Sequence, residues 1–391
     1  CGNIFYNNLL DLSMRMKKLL FATCCIAFLS GSLGAAAQKK SAAKNVLAQT
    51  LEGKSWSADN GNGTFTNPLF YDEFSDPDII RVGEDYYLAG TTMHSVPGLV
   101  VLHSKDLVNW EFSSYCFDRF DDSDDFNLRN DKEAYGQGIW APAIRYHNGK
   151  FYIFSNINGH GLQVYISDSA KGPWTHHKVN GDIYDLSVLF DEDGKIYAVH
   201  KYGNVTVTEL KPDLSGPVEG SSKVVIPEGN AMGEGHHVYK INGMYYILSA
   251  DYSPMGRMQC ARSKSIWGPY ETCVISERES YGYAAGWSVG NMGIGRPLPE
   301  DGFKFQNNQP NGLNLGCATI HQGGIVQAPD GKWWGVSMQD FNAVGRTVCL
   351  SPITWVDGWP YFGLEKNLGR SPRTWFKPND MVKTPQAPYD R

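Results

Sequence analysis

Five times along the chain an apolar strand meets a short polar turn and returns as an aromatic strand: IIRVGEDYYLAG (79–90), IRYHNGKFYIFS (144–155), LFDEDGKIYAVH (189–200), VYKINGMYYILS (238–249) and VQAPDGKWWGVS (326–337). Asn-Gly and Asp-Gly pairs supply the positive backbone angles that short hairpin loops require, so each segment is expected to form a hairpin. Three of the hairpins are followed, 22 to 24 residues beyond their second aromatic, by a related phrase: SKDLVNW (104–110), SDSAKGPW (167–174) and SKSIWGPY (263–270). The unit is a small antiparallel sheet that recurs, and no amphipathic helical pattern interrupts it between residues 60 and 375. Recurring sheets of this size predict an all-β, five-bladed β-propeller over residues 63–376. A β-sandwich with look-alike hairpins competes, but it gives no reason for the phrases to keep a fixed order.

The chain ends carry different signals. Residues 14–37 join a basic start (Arg15, Lys17, Lys18) to an apolar stretch and the small residues Ala35 and Ala37, the pattern of a secretory signal peptide. Residues 1–13 are expected to be an over-extended start, 38–62 an N-terminal linker and the Pro-rich 377–391 a C-terminal linker. The expected location is therefore secreted or periplasmic, and no later segment is apolar enough to span a bilayer. Of eight cysteines, five follow residue 37 without a C-x-x-C pair or Cys/His cluster, which argues against zinc. Cys260 and Cys273 either bridge or remain free thiols. A net charge of −6 with no Lys/Arg run argues against a nucleic-acid partner. Aromatic residues at 13%, with 11 Trp and 21 Tyr, suit sugar-ring faces, although a β-rich core uses them too.

In a propeller the first strand of each blade lines a central channel, so residues just ahead of each hairpin meet at one mouth. Counting back from the first member of each doublet, Asp76 precedes Tyr86 by ten. Trp140, Asp185 and Glu234 precede Phe151, Ile196 and Tyr245 by eleven, and His321 precedes Trp333 by twelve. These five are expected at one level around the axis. Converging carboxylates raise one another's pKa, a cost that chemistry can justify. Glycosidic bond hydrolysis uses a proton donor of raised pKa and a carboxylate that activates water, and a third carboxylate can hold the donor protonated. The bland alternative makes Asp76 a turn residue, Asp185 a loop residue and Glu234 a solvated charge; their matched offsets favour a shared site.

At these residues the chain resembles the family 43 glycoside hydrolases, inverting five-bladed propellers that act on xylan and arabinan side chains. The resemblance runs from NPLFYDEFSDPDII (67–80) to RSPRTWFKP (370–378) through HSKDLVNW (103–110), GIWAPAIRYHNGKFY (138–152), DLSVLFDEDGKIY (185–197), GEGHHVYKINGMYY (233–246), HQGGIVQAPDGKWW (321–334) and VGRTVCLSPITWVDGWP (344–360). It implies a general base at Asp76, a pKa modulator at Asp185 and a general acid at Glu234, with base and acid roughly 6.5–9.5 Å apart. It also implies a stacking wall at Trp140, an Arg346 reaching both sugar and modulator, and a sugar pocket lined by His94 and Met93. No cofactor is required, but His321 resembles an axial histidine beside a structural calcium ion; a packed core histidine is the alternative. The C-terminal linker resembles one that leads, in related xylosidases, to a β-sandwich covering the pocket.

Three departures stand out. Leu186 and His236 occupy positions where the family usually has proline, and Asp78 replaces a serine. His236 and His237 are candidates to hydrogen-bond Glu234 or the sugar, or else are structural. The expected function is a secreted enzyme removing xylose or arabinofuranose from plant-wall oligosaccharides, a β-xylosidase or α-L-arabinofuranosidase. A non-catalytic carbohydrate-binding propeller and a retaining fructoside hydrolase are the alternatives.

Overall fold

The computed structural model describes residues 57–378 except 121–122, 231, 252–256, 277–319, 321, 341–344 and 370–373. The expected signal peptide, His321 and all but the first two residues of the C-terminal linker lie outside the described residues, as does most of the N-terminal linker. Each of the five hairpins forms the first two strands of a four-stranded antiparallel sheet whose strands follow chain order. The first strands are Asp78–Val82 in blade I, Ile139–His147 in II, Ser187–Phe190 in III, Glu234–Ile241 in IV and Ile325–Gln327 in V. They neighbour one another around an axis, and the fold is a five-bladed β-propeller.

Local chemistry explains the repeated phrases. Asn148-Gly149 and Asn242-Gly243 both take positive φ at their two central positions, the pattern of a type I′ turn. Between third and fourth strands, Ser104, Ser167 and Ser263 each accept the N–H two residues on, which is why a serine opens each phrase. The aromatic that closes the phrase drops between blades: Trp110 between V and I, Trp174 between I and II, Tyr270 between III and IV.

Five apolar layers, one per pair of adjacent blades, make up the core. The layer between V and I joins Ile79 and Leu88 to Trp334 and Val336, so the ring is closed by packing. Trp334 is fully buried, and truncating it to alanine would cost on the order of 3–5 kcal/mol. A short ribbon, Thr64–Thr66 paired with Thr374–Phe376, puts Phe65 and Trp375 into the same layer. Cys260 and Cys273 lie directly opposite each other on blade IV and are free thiols, as are Cys116 and Cys349. Among the described residues no helix is long and apolar enough to cross a membrane.

Candidate active site

Near the start of every first strand, ahead of it in blades I, III and V and within it in blades II and IV, one residue turns into the left-handed region: Asp76 (φ 52°), Ala141 (39°), Asp185 (50°), Gly235 (65°) and Gln322 (43°). Each of the four non-glycine residues carries strain of order 1–3 kcal/mol, which persists only where surroundings over-determine it. The surroundings do so by stitching blade to blade. Thr91 Oγ1 donates to Asp76 Oδ2 at 2.5 Å and accepts the Ala141 N–H at 2.9 Å, joining blades I and II. The Asp185 N–H reaches Asn156 Oδ1 at 3.0 Å, joining II and III, and Gly235 N–H donates to Asp185 Oδ2 at 2.7 Å, joining III and IV. The Asp76 N–H points at Met338 Sδ, 3.4 Å away on blade V.

Above this ring opens a cavity of about 570 Å³, lined by Asp76, Trp140, Tyr184, Asp185, Glu234 and Arg346 among others. Three carboxylates from three blades thus share one space. Burial drives the Asp185 carboxyl from its ordinary 3.8 up to about 8; the charges of Glu234 and Asp76 add to the rise and the Gly235 N–H opposes it. Burial also raises Glu234, helped by Asp76 and opposed by the Tyr184 hydroxyl, which donates to Glu234 Oε2 at 3.0 Å, and by Arg346. Arg346 Nη1 stands 3.6 Å from Asp76 Oδ1, giving that carboxylate a counter-charge.

Two residues deeper along the same strands the axis is filled. Asp78, almost wholly buried, accepts the N–H groups of Ile79 and Ile144 and pairs with the Arg145 guanidinium. Arg145 also donates to Ser187 Oγ, and His237 Nε2 lies 3.5 Å from Asp78. A void of about 10 Å³, room for roughly one water, is left between this floor and the ring above.

Residues 65–282 match the family model described as glycosyl hydrolases family 43. The chain belongs to this family. Within family 43 it is 31% identical over 350 residues to a putative β-xylosidase of Xylanibacter ruminicola, covering 85% of this chain and 57% of that protein. It is 34% identical over 316 residues to the non-reducing end α-L-arabinofuranosidase BoGH43B of Bacteroides ovatus, covering 77% and 54%. Among solved structures, a bifunctional GH43-CE protein of Bacteroides eggerthii matches with TM-score 0.66 and 31% identity, over 82% of this chain and 38% of that one. The chain spans a little over half the length of the curated relatives it matches.

Set beside the family pattern, the structure brings Asp76, Asp185, Glu234, Trp140, Arg346 and Met93 to one cavity. It corrects the level of some of them. The turn is one residue longer in blades III and V, where Phe190 pairs with Ile196 and Gln327 with Trp333, than in blade I, where Arg81 pairs with Tyr86. Equal counts therefore reach unequal positions: Asp76 and Asp185 lie on the left-handed ring, while Trp140 and Glu234 lie one residue ahead of it.

His236 does not line the cavity. It is buried, its Nε2–H donates to the Lys201 carbonyl and its Nδ1 accepts from Ser249 Oγ, each at 2.6 Å, and burial lowers its pKa to about 4, so it is a neutral strut. His94 is not among the cavity-lining residues; it lies in tilted ring contact with Tyr135 and accepts the Gly136 N–H, while its neighbour Met93 lines the cavity. His237 faces the floor rather than Glu234. The ion pair of Arg346 is with Asp76, the expected base. Thr91, Asn156 and Tyr184 escaped the sequence reading; Asn156 was accessible through register, since it pairs with Trp140.

Among the described residues no group of three or more His, Cys, Asp or Glu has the arrangement of a metal site, and the axial carboxylate Asp78 holds the Arg145 guanidinium; His321, the expected neighbour of a calcium ion, lies outside the described residues.

Proposed function

We propose that the chain is an exported, inverting glycosidase that removes xylosyl or arabinofuranosyl units from plant cell-wall oligosaccharides without a cofactor. The observation that carries the reading is the meeting of Asp76, Asp185 and Glu234 in one cavity, with Trp140 beside them. Asp76, fixed by Thr91 and Arg346, takes a proton from the attacking water. Glu234 gives its proton to the departing sugar oxygen on the other side of the anomeric carbon.

Asp185 is the more strongly raised of the two buried carboxyls, yet it is the poorer donor. It is buried and one of its oxygens is taken by the Gly235 N–H, whereas Glu234, which shares the cavity, is only half-buried. Protons of such close groups belong to the set rather than to one residue. Asp185 therefore keeps a proton within the set near neutral pH, and Glu234 delivers it.

The reading is tested by hydrolysis of nitrophenyl xyloside, nitrophenyl arabinofuranoside, linear arabinan and xylobiose, with proton NMR of the first-formed anomer. An inverted anomer is expected; a retained one would transfer the chain to a double-displacement mechanism. Export is tested separately by mass analysis of the N-terminus after expression in a secreting host, where cleavage after Ala37 is expected.

A further inference from the structure

Blade III grips blade IV with two consecutive residues. Asp185 holds the backbone of Gly235, and Tyr184, one residue earlier, holds the side chain of Glu234 through the hydroxyl that donates to Oε2 at 3.0 Å. We infer that Tyr184 is a positioning residue that aims the Glu234 proton at the departing oxygen, an inference that rests on Glu234 being the general acid.

A carboxylic acid carries its proton on one oxygen. With Oε2 accepting from Tyr184, the proton sits on Oε1 and faces the cavity. The Tyr184 backbone is itself anchored: its carbonyl accepts the Lys201 N–H at 2.9 Å, and the Lys201 carbonyl accepts from His236. Burial, with Glu234, Asp185 and Asp76 adding to it, holds the Tyr184 hydroxyl well above its ordinary 10, so it remains a donor at working pH. The titratable and charged groups facing Glu234 are Tyr184 and Asp185 from blade III, Asp76 from blade I and Arg346 from blade V.

The step balances as a single displacement. Water oxygen bonds to the anomeric carbon and loses a proton to Asp76, the glycosidic C–O bond breaks, and the leaving oxygen takes the proton from Oε1. Glu234 is then a carboxylate, and the Tyr184 hydrogen bond becomes charge-assisted and stronger, so it favours the transition state over the ground state.

This predicts a dependence on leaving group. A nitrophenolate departs without a proton, whereas a sugar alkoxide needs one. Tyr184→Phe and Glu234→Gln are compared with the unaltered chain on a nitrophenyl glycoside and on the oligosaccharide of the same sugar, each across pH. Tyr184→Phe is expected to lower kcat on the oligosaccharide about tenfold, the worth of one hydrogen bond to a charged group, with KM little changed. The nitrophenyl substrate should lose no more than about twofold, because it draws little on acid catalysis. The alkaline limb of kcat/KM should move to higher pH, since the lost donor had favoured the Glu234 carboxylate.

Equal losses on both substrates, or an alkaline limb that stays in place, overturn the role of Tyr184 and leave Glu234 untouched. A Glu234→Gln chain that still cleaves the oligosaccharide at the unaltered rate overturns the reading of the acid itself.

Discussion

At the channel mouth Asp185 is enclosed beside two other carboxylates, with one backbone N–H to steady it, and its pKa climbs to about 8. Two residues deeper on the neighbouring strands, Asp78 is enclosed just as fully but receives two backbone N–H groups and the Arg145 guanidinium, with His237 beside it. Burying a carboxylate is costly in both places. The floor offsets that cost and the mouth leaves it standing. The contrast separates two uses of one residue type: a compensated buried charge locks blades together, and an uncompensated one stores a proton within reach of a ligand.

The largest effect expected from breaking the contrast is on activity. Glu234→Gln, and likewise Asp76→Asn, should lower kcat/KM on an oligosaccharide by about 10²–10⁴-fold while leaving the thermal midpoint near that of the unaltered chain; near-normal turnover in either would remove that residue from the mechanism. Next in size, Arg145→Met should cost about 3–5 kcal/mol in a denaturant melt by leaving Asp78 buried and alone. Adding Asp78→Asn should restore much of it, and a single-variant loss below about 1 kcal/mol would show that the floor is not held by charge.

The mouth should respond with the opposite sign. The folded chain binds the Asp185 proton more tightly than the unfolded chain does, so its contribution to stability is fully present below the ordinary 3.8 and is lost as pH rises toward about 8. Asp185→Asn should therefore stabilise the chain by on the order of a few kcal/mol at pH 8.5, with the gain fading toward pH 4, as followed by melts across pH. A gain independent of pH would mean that packing, not charge, had changed. Smallest is Gly235→Ala: its φ of 65° and an added methyl 2.6 Å from the Gln322 side chain should cost about 1–3 kcal/mol, read in the same melts.

The propeller was legible because its evidence is local. Each blade announces itself through a hairpin turn with an aromatic in its second strand, and three add a serine-led phrase, all within a few tens of residues. The membership of the cavity was legible for a related reason, since residues ahead of first strands must meet. The level of each residue was not, because one extra turn residue in blades III and V shifts the count and a register irregularity follows Glu234 and Trp140. Nor could a linear pattern reveal contacts between blades. Tyr184 lies fifty positions from Glu234, and His236 looked like a ligand until both its nitrogens were found engaged.

The filled axis beneath the carboxylates has a consequence for traffic. Among the described residues Asp78, Arg145 and His237 stopper the bore, so the axis gives a ligand admitted past Trp140 no way through. Under the proposed hydrolysis, a product leaving through that mouth and a substrate arriving there compete for one doorway.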